Sequence, residues 1–355
     1  MITILSFIFV ISIIVFIHEL GHFLAAKSVG VKVEKFYLGF NFFGLGLKKH
    51  YRGTEYGIGL FPLGGYVKVA GMIDESLDIS STGKPDEFRS KNMLQKIWIM
   101  SAGVIMNFLL SIAIFSHLTF YNGIDEPDSR AIIGKVYPEY PADNLGLIEN
   151  DLIISINGTD VSNWDEMTNE IHSKPDEEIN IKWERDGKIL IGSTITKSNP
   201  QLLNDNLVNL GMIGIMPILY HRDATVIESI TNGFKQTINL LNLTYRSLKA
   251  LAKGNVSMKE MAGPIMIAKI AGDTASAGLN ALLGLMAFIS INLGFINILP
   301  IPGLDGGHVM LALIEGIIGK ELPIKIKMGI QQFGLLIILF LFITIMVNDI
   351  QRLIQ

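Results

Sequence analysis

The sequence contains no cysteine among its 355 residues. This absence excludes disulfide bonds and cysteine-ligated metal sites, but it leaves the redox compartment of the protein open. Charged residues are also sparse, at 17% of the chain, whereas soluble proteins usually carry about 25%. The formal net charge of −4 gives no indication of a nucleic-acid partner, because such partners attract proteins with a strong positive charge.

Apolar residues are correspondingly abundant and cluster in four long windows. A membrane-spanning helix needs about 20 apolar residues, and the windows that satisfy this requirement lie at 1–24, 97–121, 275–304 and 328–348. The pattern predicts a polytopic α-helical membrane protein with four transmembrane helices. The first window has no basic residues before it and no small-residue cleavage site after it, so we do not expect a cleaved signal peptide.

The distribution of Lys and Arg predicts how the chain is oriented in the membrane. Segment 25–96 carries more basic than acidic residues, and segment 305–327 contributes Lys320, Lys325 and Lys327. Basic loops tend to stay in the cytoplasm, whereas long inserted domains are translocated largely regardless of their charge. We therefore expect two cytoplasmic loops, two extracytoplasmic chain termini and an extracytoplasmic inserted domain.

The motif His18-Glu19-Leu20-Gly21-His22 lies near the end of the first apolar window. Histidines four residues apart lie on one face of a helix, where two imidazoles can bind one Zn²⁺ ion. Glu19 can then take a proton from a water molecule without acting as a ligand. The alternative is a pair of buried, hydrogen-bonded histidines beside a paired glutamate. The functional interpretation is favoured because charges at membrane depth cost about 2.5–3.5 kcal/mol each and usually mark a site.

Two short β-prone runs, 56–60 and 66–69, lie in the first cytoplasmic segment and are separated by a glycine-rich turn. This pattern predicts a membrane-associated β-hairpin. One interpretation is a small surface hairpin. The other is an edge strand that holds an extended substrate near the metal, with Gly64, Gly65 and Tyr66 in contact with the substrate.

Segment 125–220 has the character of a soluble domain and is predicted to be β-rich. Its runs 140–147 and 150–153 resemble a PDZ domain of the bacterial protease type, which would bind or sense a peptide ligand by strand addition. In segment 221–273 apolar residues recur at helical spacing. We interpret it as an amphipathic helical region that either lies on the outer membrane surface or packs on protein.

The third apolar window ends in a stretch that breaks a helix. Pro300, Pro302 and Gly303 interrupt the helical hydrogen bonding, and irregular backbone at membrane depth usually marks a site. A catalytic zinc usually has three protein ligands and one water molecule. Asp305 can supply the third ligand from this neighbouring segment, or it can act as a helix N-cap. His308, three residues later, is the competing ligand.

Polar residues within the second and third windows have two possible roles. Asn292 and Asn297 can each hydrogen-bond the backbone of a substrate, or they can join packed helices. In the second window, Gly103 and Asn107 are expected to serve helix packing, since small residues let helices approach closely and an amide can bond across them.

Four motifs together resemble the site-2 protease family of intramembrane zinc metalloproteases. They are the HELGH motif at 18–22, the stretch 61–68, Gly263-Pro264-Ile265 and the stretch 297–307. The resemblance runs essentially from end to end and is closest to the regulator-of-sigma-E protease type. There are two departures. The chain has room for one PDZ-like domain where many members have two, and Val104 follows the second-window glycine where a proline is common.

This resemblance implies a zinc cofactor and a set of site residues. It implies His18, His22 and Asp305 as ligands and Glu19 as the catalytic base, and it leaves His308 outside the ligand set. It also implies that the predicted hairpin and the region of Asn297 hold the substrate.

The resemblance further implies a place and a substrate class. The protein would lie in the bacterial cytoplasmic (inner) membrane, within the lipid bilayer. The orientation inferred from the basic loops places its site toward the cytoplasmic side. Its substrates would be single-span membrane proteins, such as anti-sigma factors or signal-peptide remnants, already cut once by another protease.

Two rival functions fit parts of the sequence. A non-catalytic membrane scaffold or chaperone would act through the PDZ-like domain, but it would be expected to have lost Glu19 or a ligand. A transporter built around an intramembrane metal site would need an inverted repeat, which we do not find in the sequence. The complete set of ligands and base favours the protease.

Overall fold

The computed structural model describes residues 2–41, 46–72, 83–203, 206–257 and 261–354. The chain divides into two compact units. The first comprises Met1–Leu118, Val226–Tyr245 and Ser257–Gln355, and the second comprises Thr119–Thr225 and Arg246–Val256. The second unit contains the whole of segment 125–220.

Four helices of the described chain are long and apolar enough to cross a membrane, which confirms the predicted number. They are α1 (Ile2–Ser28), α2 (Met93–Asn122), α7 (Leu279–Ile298) and α9 (Ile324–Ile354). α1 continues past residue 24 because Ala25, Ala26 and Lys27 favour a helix. It ends before Gly30, whose φ of +69° is typical of the residue that follows a helix.

Five further helices are described. They are α3 (Pro141–Asn144), α4 (Trp164–His172), α5 (Val226–Ala252), α6 (Pro264–Ala277) and α8 (Asp305–Ile318). The helical region predicted at 221–273 thus consists of two helices. The second extends beyond the predicted end to Ala277 and stops before Gly278, whose φ of +120° is not helical.

The helices α1, α2 and α7 pack around one apolar core in the first unit. Its buried residues include Val10 and Ile14 of α1, Ile114 of α2, and Met286 and Ile291 of α7. Within a bilayer such contacts stabilise through van der Waals packing, because lipid tails are as apolar as the side chains. These three helices therefore form the frame that carries the site.

The helix α5 combines buried and exposed apolar residues. Leu240 and Leu241 pack against the core of α1, α2 and α7, whereas Ile227, Ile230 and Phe234 are exposed. The part of α5 in the first unit therefore packs on protein and also leaves an apolar stripe uncovered. Contact of this stripe with the membrane surface stays a prediction.

The helix α6 begins at the Gly263-Pro264-Ile265 motif and is capped by a side chain of α9. Asp349 accepts hydrogen bonds from the backbone N–H groups of Gly263, Ile265 and Met266, at 2.9, 3.0 and 3.1 Å. These amides are the groups that a helix leaves without internal partners. A side chain on Gly263 would meet Asp349, with the added Cβ 2.5 Å from Oδ2, so the glycine lets α6 and α9 meet.

A four-stranded sheet lies between α1 and α2 in the chain and packs on both through buried residues such as Val33 and Val69. Its strands are β1 (Val33–Phe40), β2 (Gly46–Tyr51), β3 (Thr54–Gly59) and β4 (Phe61–Val69), in the spatial order β2-β3-β1-β4. β1 is parallel to β3 and antiparallel to β4. The strands β2 and β3 form an antiparallel pair whose turn holds Arg52 and Gly53 at positive φ.

The hairpin predicted from runs 56–60 and 66–69 is wrong in its pairing. Both runs are extended, in β3 and β4, but β1 lies between them and pairs with each. Two apolar runs around a turn give no signal that a third strand from upstream separates them. The hairpin that the sheet contains instead joins β2 to β3. As a result, β4 lies at one edge of the described sheet.

The segment 305–327, predicted as a cytoplasmic loop, begins with the 14-residue helix α8. Leu311, Ala312 and Glu315 are buried on one face of this helix. The segment is too short to cross a bilayer, but its apolar face packs on protein, and this packing makes the helix stable. Only the stretch between α8 and α9 remains a connection.

The second unit is β-rich and has its own apolar core. Its strands are β5 (Ile124–Pro127), β6 (Ile133–Val136), β7 (Leu152–Ile156), β8 (Thr159–Asp160), β9 (Glu178–Arg185), β10 (Lys188–Ile195), β11 (Lys197–Leu203), β12 (Asn206–Met212), β13 (Ile215–Pro217) and β14 (Leu219–Arg222). The core includes Ile133, Ile153, Met167 and Ile181. This core makes the unit compact in its own right.

Candidate metal centre

Three side chains of the first unit converge on one point. The Nε2 atoms of His18 and His22 are 3.1 Å apart, and Asp305 Oδ2 lies 3.1 Å from the first and 3.4 Å from the second. The two histidines are 6% and 7% exposed. In the part of the chain that the structure describes, these three residues form a group that can hold a metal ion.

The surroundings leave acceptor lone pairs on His22 Nε2 and Asp305 Oδ2, which lie 3.4 Å apart. His22 Nδ1 is 2.8 Å from the carbonyl oxygen of Ile99, which can only accept, so Nε2 of the neutral ring is a bare acceptor. Asp305 Oδ2 is buried without a hydrogen-bond partner among the described residues, although both imidazoles lie beside it. Acceptors this close repel each other unless a cation lies between them. These three side-chain atoms therefore suit the binding of a metal ion.

The spacing of the three atoms also fits zinc. Ligand bonds of about 2.0–2.2 Å at tetrahedral angles place two ligand atoms about 3.3–3.6 Å apart. The observed distances of 3.1, 3.1 and 3.4 Å lie within about 0.2 Å of this range. Two histidines and one carboxylate with a fourth position left for water are typical of catalytic rather than structural zinc sites. The arrangement can therefore support metal-assisted hydrolysis.

Local sequence explains how Asp305 reaches the histidines of α1. α7 ends at Ile298, because Pro300 cannot continue a helix and disfavours helical geometry at the residue before it. After the irregular stretch 299–304, α8 starts at Asp305. The break therefore places Asp305, the first residue of α8, beside the two histidines.

The two alternatives weighed for this part of the chain are not supported. Leu304 occupies the N-cap position of α8, which has no side-chain cap, so Asp305 does not act as the cap. His308 Nε2 is 3.1 Å from Gln331 Nε2 of α9, and His308 is not part of the ligand group. Geometry thus favours Asp305 over His308.

Glu19 lies on α1 beside the edge strand β4. A Cβ atom added to Gly65 would lie 3.7 Å from Glu19 Cγ and 2.7 Å from the carbonyl oxygen of Tyr37. Gly64 has a φ of +103°, which few other residues adopt. Tyr66 stacks on Tyr37 with ring centroids 5.2 Å apart. The three predicted β4 residues therefore lie together, and Gly65 is next to Glu19.

Tyr37, which stacks on Tyr66, links two strands of the sheet. Its hydroxyl donates to Glu55 Oε1 at 2.5 Å, joining β1 to β3. Burial and this hydrogen bond raise the pKa of Tyr37 to about 12, and the same bond lowers the pKa of Glu55. The pair therefore remains a phenol and a carboxylate at neutral pH, and their hydrogen bond links β1 to β3 beside the site.

The two predicted amides of α7 have different surroundings. Asn297 Nδ2 is 3.4 Å from His18 Nε2, so it borders the metal position. Asn292 Oδ1 accepts from Thr244 Oγ1 at 3.2 Å, and its Nδ2 donates to the carbonyl of Phe288 at 2.8 Å. These bonds favour the helix-joining role for Asn292 and leave Asn297 as the amide at the centre.

One face of α2 contributes more than the packing role expected from its sequence. Ile99, Gly103 and Asn107 follow one another at intervals of four and all border the histidines. Asn107 Nδ2 is 3.2 Å from His18 Nδ1. A Cβ atom on Gly103 would contact His22 Nε2 and lie 2.7 Å from His18 Cε1. The available signal was a glycine and an amide one helical turn apart in an apolar helix.

Comparison with known proteins agrees with this geometry. The fold and the centre define a zinc metalloprotease that is a multi-pass membrane protein. The chain matches the sequence profile of Peptidase family M50 over residues 6–341 and belongs to that family.

Relatives cover almost the whole chain. It is 32% identical over 342 residues to a candidate zinc metalloprotease of Clostridium perfringens, covering 96% of both chains. It is 34% identical over 362 residues to one of Rickettsia conorii, covering 99% of both. A third, from Campylobacter jejuni, is 34% identical over 359 residues, covering 99% of this chain and 94% of the relative.

Two solved domain structures are similar to a part of the chain. The PDZ domain of the SdrC-like protein of Listeria monocytogenes is 21% identical, with a TM-score of 0.21, over 27% of this chain and 94% of that one. The corresponding domain of Listeria innocua is 23% identical, with a TM-score of 0.21, over 27% of this chain and 100% of that one.

Proposed function

We propose that this peptidase hydrolyses peptide bonds within or next to the transmembrane segments of other membrane proteins, as in regulated intramembrane proteolysis. The observation that carries this proposal is the position of the metal-binding group. His18 and His22 belong to α1, a helix apolar enough to cross a membrane. Ionisable residues are retained at such a depth where they serve a function.

In this proposal His18, His22 and Asp305 bind one zinc ion, and Glu19 is the general base. Zinc held by three protein ligands polarises a carbonyl group and lowers the pKa of water toward ~7. Glu19 takes a proton from the attacking water and returns it to the leaving amine. The water oxygen bonds to the carbonyl carbon, the C–N bond breaks, and the products are a carboxylate and an amine.

The edge strand β4 and Asn297 would hold the substrate. A helical substrate hides its carbonyl groups in internal hydrogen bonds, so it has to be extended before it can be cleaved. β4 can pair with such an extended backbone by strand addition, through Gly64, Gly65 and Tyr66, and its position beside Glu19 supports this role. The Asn297 amide would donate to a substrate carbonyl near the metal.

The proposal also includes an orientation and an order of events. The protein would lie in the bacterial cytoplasmic membrane with both termini outside and the centre toward the cytoplasm. Its substrates would be single-span membrane proteins, such as anti-sigma factors or signal-peptide remnants. The β-rich second unit, with its PDZ-like sequence, would exclude substrates whose outer domain is still large. Such an enzyme acts after another protease has trimmed the substrate.

The test compares the wild type with Glu19→Gln in membranes that contain a model single-span substrate without its outer domain. Gln is close to Glu in size but cannot take the proton. We expect the wild type to cleave, Glu19→Gln to show no detectable cleavage, and both purified proteins to contain one equivalent of zinc.

Equal behaviour of the two proteins, with zinc bound in both, would contradict the proposal and favour a membrane scaffold that acts through the second unit. A zinc-free wild type would instead contradict the ligand assignment. A matched control is Thr344→Val, because Thr344 donates within α9 to the carbonyl of Phe340. It should cleave as the wild type does.

A further inference from the structure

One face of α2 contacts both histidines. The carbonyl of Ile99 receives the Nδ1 proton of His22, which directs His22 Nε2 toward the centre. Two helical turns further along the same face, Asn107 lies against the ring of His18. The proposed function gives the Asn107 amide no role.

Asn107 is fully buried, with 0% of its surface exposed, and its backbone is held firmly. Its carbonyl accepts hydrogen bonds from Ser111 Oγ at 3.0 Å and from Ser290 Oγ of α7 at 2.9 Å. The side-chain Nδ2 is 3.2 Å from His18 Nδ1, while Oδ1 is buried without a hydrogen-bond partner in the described chain. A buried amide oxygen without a partner costs about 1–3 kcal/mol.

A rotation of the amide by 180° exchanges Oδ1 and Nδ2, so which atom faces His18 has to be decided from chemistry. If Nδ2 faces the ring, it donates to Nδ1, and the neutral ring then carries its proton on Nε2. That proton would point at the metal position. If Oδ1 faces the ring, it accepts the proton of Nδ1 and leaves Nε2 free to bind. Only the second arrangement agrees with His18 as a ligand.

We propose that Asn107 is a positioning residue whose amide oxygen accepts the Nδ1 proton of His18 and so fixes the ring in its metal-binding tautomer. Histidine ligands generally donate their second N–H to such a partner, and loss of the partner typically costs about 10- to 100-fold in metal affinity or activity. α2 thus serves both ligands, with a backbone carbonyl for His22 and a side chain for His18. This inference rests on the proposed metal centre.

The test measures zinc affinity rather than proteolysis. Wild type, Asn107→Leu and Asn107→Asp are purified in detergent and stripped of metal, and the dissociation constant for zinc is determined by competition with a chromogenic chelator. Leu removes the acceptor at similar volume, whereas an aspartate carboxylate can only accept. We expect Asn107→Leu to bind zinc about 10- to 100-fold more weakly and Asn107→Asp to bind as tightly as the wild type or more tightly.

The aspartate variant distinguishes between the two orientations of the Asn107 amide. If Nδ2 donates to the ring, Asp cannot replace it, and Asn107→Asp would bind zinc more weakly than the wild type, which would overturn the inference. Wild-type affinity in Asn107→Leu would overturn it as well. The visible spectrum of the cobalt-substituted proteins adds a second readout, since it should change for Asn107→Leu and keep the wild-type form for Asn107→Asp.

Controls separate this inference from the proposed function. Ser116→Ala removes a hydroxyl of the same helix that donates to the carbonyl of Ile112, and it should bind zinc as the wild type does. His18→Ala should lose tight binding. If the wild type binds no zinc, the centre itself is wrong. If Asn107→Leu does not fold, judged by thermal unfolding of the metal-free protein, the aspartate result alone decides.

Discussion

At the scale of single residues, the centre depends on Gly103 having no side chain. A methyl group on Gly103 would overlap His22 Nε2 and approach His18 Nδ1 to 2.9 Å. Overpacking of this kind costs about 1–3 kcal/mol, or roughly 5- to 150-fold in affinity if the ligands move to relieve it. We therefore expect Gly103→Ala to bind zinc more weakly by a factor in this range, measured by chelator competition, and to cleave more slowly.

A matched control for this prediction exists in α7. A Cβ atom added to Gly284 would have no atom within 4 Å among those described, so Gly284→Ala should bind zinc and cleave as the wild type does. If Gly103→Ala did the same, the close approach of α2 to the histidines would have no consequence for the centre.

The group of three potential ligands could be predicted from the sequence, but the contacts that support it could not. His18 and His22 are related by a local spacing, and Asp305 follows a break that two prolines make visible. The partners of the histidine Nδ1 atoms depend on which helix packs against α1 and in which register. One of them is a backbone carbonyl, at Ile99, and a backbone atom leaves no mark in the sequence.

At the scale of elements, the sequence identified the apolar helices and missed two consequences of packing. The four long helices follow from apolar runs alone, so they could be predicted. The pairing of β1 with both β3 and β4 has no local signal, because strand order depends on contacts far apart in the chain. The sequence predicts a loop where α8 lies, because the apolar face of this helix is short and is stabilised by neighbours.

A buried charge cluster joins the ends of three helices. Glu315, in the last turn of α8, lies 3.7 Å from Lys96 near the start of α2 and also contacts Lys327 at the start of α9. Its Oε1 accepts from the backbone N–H of Leu322 at 2.9 Å. Because α2 and α9 begin at the same cluster, they begin on the same side of a membrane. This geometry agrees with placing the segments before α2 and before α9 on one side, and it leaves the choice of side to the proposed orientation.

Thiol labelling can test this orientation directly, because the chain has no cysteine of its own. Lys320→Cys would place one thiol at an exposed position between α8 and α9, and Thr159→Cys would place one at an exposed position of the second unit. In intact spheroplasts a membrane-impermeant maleimide should label Thr159→Cys only. After lysis it should label both, and the wild type should stay unlabelled. Labelling of Lys320→Cys in intact spheroplasts would contradict the proposed orientation.

At the scale of the whole molecule, the chain combines two units with separate apolar cores. One core is shared by α1, α2 and α7, and the other lies within the β-rich unit. The ligand group lies entirely in the first unit. The chemistry of the centre should therefore survive changes to the second unit, whereas the choice of substrates is the property that such changes can alter.

Removal of residues 125–220 tests this division. Asp125 and His221 are directly opposed in the antiparallel pair of β5 and β14, where facing Cα atoms lie about 4.5–5.5 Å apart. A short Gly-Ser linker can therefore join Ile124 to His221 without displacing either end.

We expect the shortened protein to cleave a trimmed substrate at the wild-type rate and to cleave an untrimmed substrate faster than the wild type, because the excluding unit is gone. The measurement is the initial rate for each substrate in membranes. Adding Glu19→Gln to the shortened protein should abolish both activities, which would assign them to this centre. If the untrimmed substrate were still cleaved only at the wild-type rate, the second unit would not be what excludes it.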